Sequence, residues 1–358
     1  LYRRFQAGGA PIAMVSMDNC ARNGEKLRAG VLSMARDWAE RGLVESAFLD
    51  WLEDEGRVSF PWSMIDKITP HPSERVQEEL GRLGVADMAI ARTNTGTLIA
   101  PFVNAEITEY LVLEDAFPNG RPALEGAGVY LTDRTTVEKA EKMKVGTCLN
   151  PLHTALAVYG CLLGYTSIAA EMGDADLKAL VEHIAAESLP VVEDPGILSP
   201  RAFIDEVLHE RFPNPAIPDT PQRIAADTSQ KLPVRYGGTL RRYARQSEQA
   251  LAGLEFAPLV FAGWCRYLLG VDDRGNAMPV SPDPMLPQLQ AHLKGIEVGR
   301  PDSLAGQLRP ILSNAALFGV DLYAAGLGER TEEMFRDMLA GPGAVRATLH
   351  RNCACKQP

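Results

Sequence analysis

An α/β part followed by an all-α part is the fold class that the sequence predicts. Three observations carry it. At 358 residues the chain exceeds what one hydrophobic core usually supports, so two domains are expected. Up to about residue 133, short apolar runs bounded by turn residues alternate with stretches of helical period. From Arg134 onward, apolar residues recur almost wholly at spacings of three and four.

The elements follow in order. The run Ile12–Ser16, between Gly-Gly-Ala-Pro and Asp-Asn, reads as a buried parallel strand. Asn23 precedes GEKLRAGVLSMARDWAERG, where Leu27, Val31, Leu32 and Ala35 share a helix face and Gly42 marks the end. LVESAFLDWLED is a second helix. VSFPWSMIDKITP, TLIAPFVN and EYLVLEDAF read as extended segments, with a helix over SERVQEELGRLG between them. The helical part comprises TVEKAEKMKV, HTALAVYGCLLGYTSIAAEM, DADLKALVEHIAAESLP, SPRAFIDEVLHERF and QSEQALAGLEFAPLVFAGWCRYLLG. Asp174 leads one of these helices, and Ser199-Pro200 starts another with proline at its first position.

A hydrophobic fraction of 46% and a charged fraction of 23% are those of an ordinary globular chain. The net charge of −10 argues against nucleic acid or an anionic membrane as partner, and an anionic small-molecule substrate would need a local cluster of Lys and Arg. The longest apolar run, Ala155 to Tyr165, is interrupted by Gly160 and Gly164 and falls short of the ~18–20 residues of a membrane span. Of the six cysteines, Cys148 and Cys161 lie in a hydrophobic helical run as small core residues. No spacing resembles a disulfide framework, which points to a reducing cytoplasm. Cys353 and Cys355 lack two further ligands at zinc spacing, so no metal is expected. The amino end opens as the end of a helix, a Gly-rich turn and a strand, so we expect a fragment that begins inside a domain. Nothing in the sequence sets an oligomeric state.

Three stretches hold candidate chemistry. In SMDNCARNGEKL, Asp18 and Asn19 follow a strand, where α/β sheets present ligand-binding groups, and an asparagine amide there can donate to a developing oxyanion. Ordinary turn chemistry is the competing reading. In KMKVGTCLNPLHTALA, Asn150 and His153 share a helix face. Lys144 lies one to two turns upstream, where desolvation can turn it into a usable base. The alternative is a helix capped by Asn150 with Pro151 at its first position and His153 in the core. In RFPNPAIPDTPQRIAADTSQKLPVRYGG, Arg223, Lys231 and Arg235 form a dense basic set in an acidic protein, suited to a carboxylate or phosphate unless it is a solvated loop. The sequence contains no GxSxG motif, Walker loop or dinucleotide fingerprint.

Taken in order, SMDNCARNGEKLR, SFPWSMIDKITP, YLVLEDAFPNGRP, KMKVGTCLNPLHTAL and PNPAIPDTPQRIAADTSQKLPVRYG resemble the successive signatures of the long-chain mannitol dehydrogenase and fructuronate reductase family, from about Pro11 to Tyr243. CLNPLHTALAVYGCLLGY and PDTPQRIAADTSQK resemble its fructuronate reductase (D-mannonate oxidoreductase) branch. The resemblance implies a metal-independent, NAD(H)-dependent oxidoreductase. Residues 1–133 would be the C-terminal part of a Rossmann-like NAD-binding domain that lacks its start, and 134–358 an all-helical substrate domain. It also implies a lysine general acid/base, two asparagines that polarise the reacting oxygen and a histidine near the substrate. The matching positions are Lys144, Asn19, Asn150 and His153, with Asn19 also at the cofactor and Asp66, Arg223 and Lys231 in the substrate pocket.

The family places its lysine five residues before the asparagine, whereas Lys144 lies six before Asn150, a change of ~100° on a regular helix. A local bulge favoured by Pro151 would restore the phase, and Lys142 is the fallback base. The reaction implied is the interconversion of D-fructuronate and D-mannonate. A polyol dehydrogenase acting on mannitol or arabinitol, and a non-catalytic helical binding module, are the competing readings.

Overall fold

The computed structural model describes residues 1–353. The chain folds into two compact units and passes between them more than once. One consists of Leu1–Ile68, Glu106–Lys142 and Glu193–Ser199, the other of Thr69–Ala105, Met143–Val192 and the chain from Pro200 onward.

The first unit is α/β. Ile12–Ala13 pairs in parallel with Val58–Ser59, Ile12 opposite Val58. A separate mixed sheet has Tyr110–Glu114 at its centre, antiparallel to Ser63–Asp66 on one side and parallel to Tyr130–Thr132 on the other. The helices Asn23–Glu40 and Ser46–Glu53 present Leu32, Ala35, Phe48, Trp51 and Leu52 to a core that also holds Val44, Val58 and Phe60. Burying each of the larger side chains contributes roughly 1.5–3 kcal/mol. The strands are shorter than their apolar runs predict. Of Ile12–Ser16 only the first two residues pair as a strand, although Met14 N still donates to Ser59 O at 2.9 Å.

The second unit is almost wholly helical, with a small hairpin of Ala91–Arg92 and Leu98–Ile99. That hairpin is all that pairs of the extended segment TLIAPFVN, because Pro101 has no donor to continue a ladder. Asn150–Leu163 is the central helix and is buried on nearly every side. Tyr159 donates its hydroxyl to Leu259 O at 2.8 Å, on the helix Phe256–Tyr267. Gly263 makes that approach possible, since a Cβ there would sit 2.7 Å from the Tyr159 ring.

Two runs that read as single helices are each broken in two. Gly164, at φ +82°, ends the central helix in the left-handed region. Ser167 then caps Ile168–Glu171, accepting from Ala170 N at 3.2 Å. Likewise Glu248–Ala252 and Phe256–Tyr267 are separate helices. Asp174 caps Ala175–Ser188 as expected, accepting from Asp176 N and Leu177 N. His183, on that helix, is buried and stacked on Phe256 at 4.2 Å. Cys148 and Cys161 are buried, and burial pushes both thiols up to about 12. Cys353 is buried too, and Cys355 lies outside the described residues. Among the described residues no group of three or more His, Cys, Asp or Glu is placed to hold a metal ion, and no helix is long and apolar enough to cross a membrane.

Candidate active site

The helix Arg134–Met143 does not run straight into Asn150–Leu163. Between them lies a π-helical turn, Lys144–Cys148, in which Leu149 N donates to Lys144 O at 3.1 Å. Thr239 Oγ1 donates to Gly146 O at 3.0 Å and satisfies a carbonyl of this turn. A π turn accommodates one residue more than an α turn. It therefore takes up the extra residue between Lys144 and Asn150 that a regular helix would convert into a change of phase. The bulge lies ahead of Pro151 rather than at it. Tyr236 donates its hydroxyl to Pro151 O at 2.7 Å and holds the helix start in place.

Lys144 is 3% exposed. The side chain of Lys142 is 46% exposed and lies 3.5 Å from Glu138 and 3.6 Å from Glu193. A cation between two carboxylates is the ordinary solvated arrangement.

Asn150 is the first residue of its helix rather than the capping residue, which is Leu149. Its carbonyl accepts from Thr154 Oγ1 at 3.0 Å and Arg235 Nη1 at 3.4 Å. Its side-chain amide makes no hydrogen bond among the described residues and remains available to a ligand. One turn on, His153 Nε2 lies 3.1 Å from Asp219 Oδ2, and the imidazole packs on Phe212 at 5.1 Å. Burial pushes the His153 pKa down, only partly opposed by Asp219, so the ring is neutral. Burial alone would raise the Asp219 carboxyl, but His153 and Arg223 outweigh it and hold it below the usual range.

The basic stretch folds against this turn. Arg223 Nε and Nη2 both contact Asp219 Oδ1, at 2.8 and 2.7 Å, so its fork is engaged by the protein itself. Lys231 Nζ donates to the carbonyls of Ile224 and Ala226 at the end of the helix Pro221–Ala225. Burial, then the nearby Arg235 charge, brings its pKa down to about 8. Arg235 Nη1 donates to Thr154 Oγ1 at 2.6 Å. The helical unit thus brings together Asn150, His153, Arg223 and Lys231, and adds Asp219, Thr154 and Arg235. Asp219 was masked in the sequence by its turn-like Pro-Asp-Thr-Pro setting. The available signal was its spacing of four from Arg223 across a capped helix start, Thr220-Pro221.

Asn19 and Asp66 belong to the other unit. Asn19 is exposed in the loop between Ile12–Ala13 and the helix Asn23–Glu40. Asp66 is buried at the end of its strand. The anchor of that loop is Asn23, which the sequence marks only as the residue before a helix. Its Nδ2 donates to Asp18 O at 2.9 Å, Ser63 Oγ at 2.7 Å and Ser16 O at 3.3 Å, while its Oδ1 accepts from Ser63 N and Gly24 N.

An α/β unit and a helical unit, whose central helix begins with an asparagine and a histidine just after a buried lysine on a π turn, define a two-part protein with a polar site at a helix start. The chain belongs to the mannitol dehydrogenase family: the mannitol dehydrogenase C-terminal domain matches residues 136–330. It is 56% identical over 351 residues to the D-mannonate oxidoreductase of Thermotoga maritima, covering 98% of this chain and 65% of that protein. A mannitol 2-dehydrogenase of Aspergillus fumigatus is 33% identical over 333 residues, with 90% and 58% covered. The ternary complex of Pseudomonas fluorescens mannitol 2-dehydrogenase with NAD and D-mannitol superposes with a TM-score of 0.72 at 29% identity, over 100% of this chain and 65% of that one. A substrate-free D-sorbitol dehydrogenase gives 0.77 at 25% identity, with 97% and 64% covered. The fold is accordingly a Rossmann-like α/β part with a helical C-terminal domain, and the chain spans about two thirds or less of the length of these relatives.

Proposed function

We propose that the whole protein is a metal-independent, NAD(H)-dependent oxidoreductase that interconverts D-fructuronate and D-mannonate in the cytoplasm. The observation that carries the chemistry is the buried Lys144, set on a π turn in the helical run that supplies Asn150 and His153. The 56% identical relative named D-mannonate oxidoreductase supports the sugar-acid class. We take residues 1–133 as the later part of the NAD-binding domain and 134–358 as the substrate domain.

The residues present fit part of a dinucleotide site. Asn19 is exposed in a loop at the carboxyl end of a parallel strand, where such sheets hold cofactors. NAD, when bound, supplies the hydride acceptor. In the oxidative direction the Lys144 amine takes the hydroxyl proton as hydride leaves the carbinol carbon. The side-chain amides of Asn150 and Asn19 donate to the alkoxide that develops. With Nε2 facing Asp219 at 3.1 Å, the neutral His153 ring is assigned its lone pair on Nδ1, where it can accept from a substrate hydroxyl and fix its orientation. Asp66, Arg223 and Lys231 are assigned to the remaining polar groups of the substrate.

Steady-state assays of the whole protein with NAD and either D-mannonate or D-mannitol test this reading. A site built for the acid favours D-mannonate by roughly 10³-fold in kcat/KM, the order that hydrogen-bonded recognition achieves over an analogue lacking the group. Equal values for the two substrates would move the protein to the polyol branch.

A further inference from the structure

Arg235 closes the helix Thr228–Arg235 and has no part in the roles assigned above. Its Nη1 is fixed on the first turn of the central helix, at 2.6 Å from Thr154 Oγ1 and 3.4 Å from Asn150 O. Its Nε and Nη2 make no hydrogen bond, and no carboxylate pairs with it, among the described residues. Arg266, a fully buried guanidinium, shows what a purely structural arginine looks like here. All three of its nitrogens donate to carbonyls, Nε to Met338, Nη1 to Val271 and Nη2 to Asp272.

The surroundings of Arg235 are cationic. Arg223 and Lys231 both lie within electrostatic reach of it, in a chain whose net charge is −10. The nearby carboxylate of the site, Asp219, is occupied by His153 and Arg223. Burial, then the Arg223 charge, brings the Arg235 pKa down to about 10, with Tyr236 opposing. An uncompensated, desolvated cation is unfavourable and persists where a ligand supplies the counter-charge. The open Nε–Nη2 edge is the planar two-donor face that matches a carboxylate bidentately.

We propose that this edge of Arg235 receives the carboxylate of the sugar acid, which makes Arg235 the residue that selects an acid over a polyol. The proposal rests on the sugar-acid reading above, and it moves the carboxylate away from Arg223, whose Nε and Nη2 face Asp219, and Lys231, which gives two of its three donors to backbone carbonyls. A phosphate of the cofactor offers the same anionic oxygens. The first turn of the central helix, which holds Arg235, also carries the Asn150 amide and His153, and this favours the substrate as the source.

The test uses the whole protein with Arg235→Gln and Arg235→Lys, assayed with D-mannonate, D-mannitol and NAD. Calorimetric titrations of D-mannonate in the presence of NADH, where no turnover occurs, accompany the assays. In Arg235→Gln, KM for D-mannonate rises about 100-fold or more while kcat changes a few-fold, and the mannonate-to-mannitol ratio of kcat/KM collapses by the same factor. Arg235→Lys, a point charge without the fork, recovers part of the loss, and KM for NAD stays put. Equal losses on acid and polyol would reduce Arg235 to a brace for the helix start. A raised KM for NAD with D-mannonate untouched would make the anion a cofactor phosphate. Should the wild type oxidise neither compound, the oxidoreductase reading falls, and calorimetry still decides Arg235: mannonate binding lost in Arg235→Gln keeps the proposal. Binding that is unchanged in the variant, or absent from the wild type, overturns it.

Discussion

The loop after Ala13 and the helix start after Met143 each carry an asparagine assigned to the same chemical task, yet the two are built by different means. In the loop the functional candidate, Asn19, is exposed, and order comes from a neighbour. Asn23 spends its whole side-chain amide on Ser16, Asp18, Gly24 and Ser63. In the helix start the candidates are themselves inside the fold. Lys144 is buried on the π turn, and His153 is desolvated against Asp219 and Phe212. Position is what a loop can provide. The helix start adds desolvation, which pushes the His153 pKa down.

The sharpest way to break this comparison is to remove the two lysines in turn. Lys144→Ala should lower kcat by roughly 10²–10⁴-fold, the usual worth of a positioned acid/base. Lys142→Ala, at a half-exposed site between Glu138 and Glu193, should change it by about threefold or less. Reversed effects in the same assay would mean that burial does not mark the base. Next in size come the asparagines. Asn150→Ala should cost roughly 10²–10³ in kcat, as loss of a preorganised oxyanion donor does. The exposed Asn19 should cost less, on the order of tenfold, because an amide in a loop is less rigidly aimed. Equal losses would show that the loop is as well organised as the helix start when substrate is bound.

Within the loop, stability separates the two asparagines in the opposite sense. Asn23→Ala strands the buried Ser63 N, while the carbonyls of Ser16 and Asp18 keep Ser63 Oγ and Cys20 N as donors, and should lower unfolding free energy by about 1–3 kcal/mol in urea denaturation. Asn19→Ala, four residues earlier in the exposed loop, should stay within about 0.5 kcal/mol of wild type. A large loss at Asn19 would make it the structural residue.

Much of this was legible in the sequence where the signal is long and periodic. Asn150–Leu163, Ala175–Ser188 and Phe256–Tyr267 announce themselves by apolar spacing, and Asp174 by its place before a helix. The two- and three-residue strands Ala91–Arg92 and Tyr130–Thr132 offer no such period, and they exist because a partner strand lies alongside. The break at Gly164 was visible as a glycine, but only the left-handed φ shows that it ends the helix. In the candidate site, Lys144, Asn150 and His153 stood out as polar residues in an apolar run, and the spacing of six from lysine to asparagine hinted at the π turn. Asp219 and Asn23 did not stand out, since Asp and Asn are ordinary turn residues and nothing local tells which of them is buried.

The smallest expected effect concerns Lys231, where the helical region tunes a charge rather than a base. Its pKa of about 8 stands against an ordinary 10.5, because burial and the charges of Arg235 and Arg223 outweigh Asp227 and Asp283. Below pH 8 the amine is protonated in both folded and unfolded chains. Between about 8 and 10.5 the folded protein releases the proton while the unfolded chain keeps it, so this group makes stability rise with pH through that window. Ligand affinity should move the other way. A cationic cluster that loses one charge attracts an anion less, so the calorimetric Kd for D-mannonate should weaken several-fold between pH 7.5 and about 9.5, within the tenfold per pH unit that one titrating group allows. Arg235, at about 10, stays charged through most of that range and keeps the main contact. Lys231→Arg carries a charge that does not titrate there and should flatten the profile. A profile that keeps its slope in Lys231→Arg would assign the pH dependence to another group and remove Lys231 from the anion site.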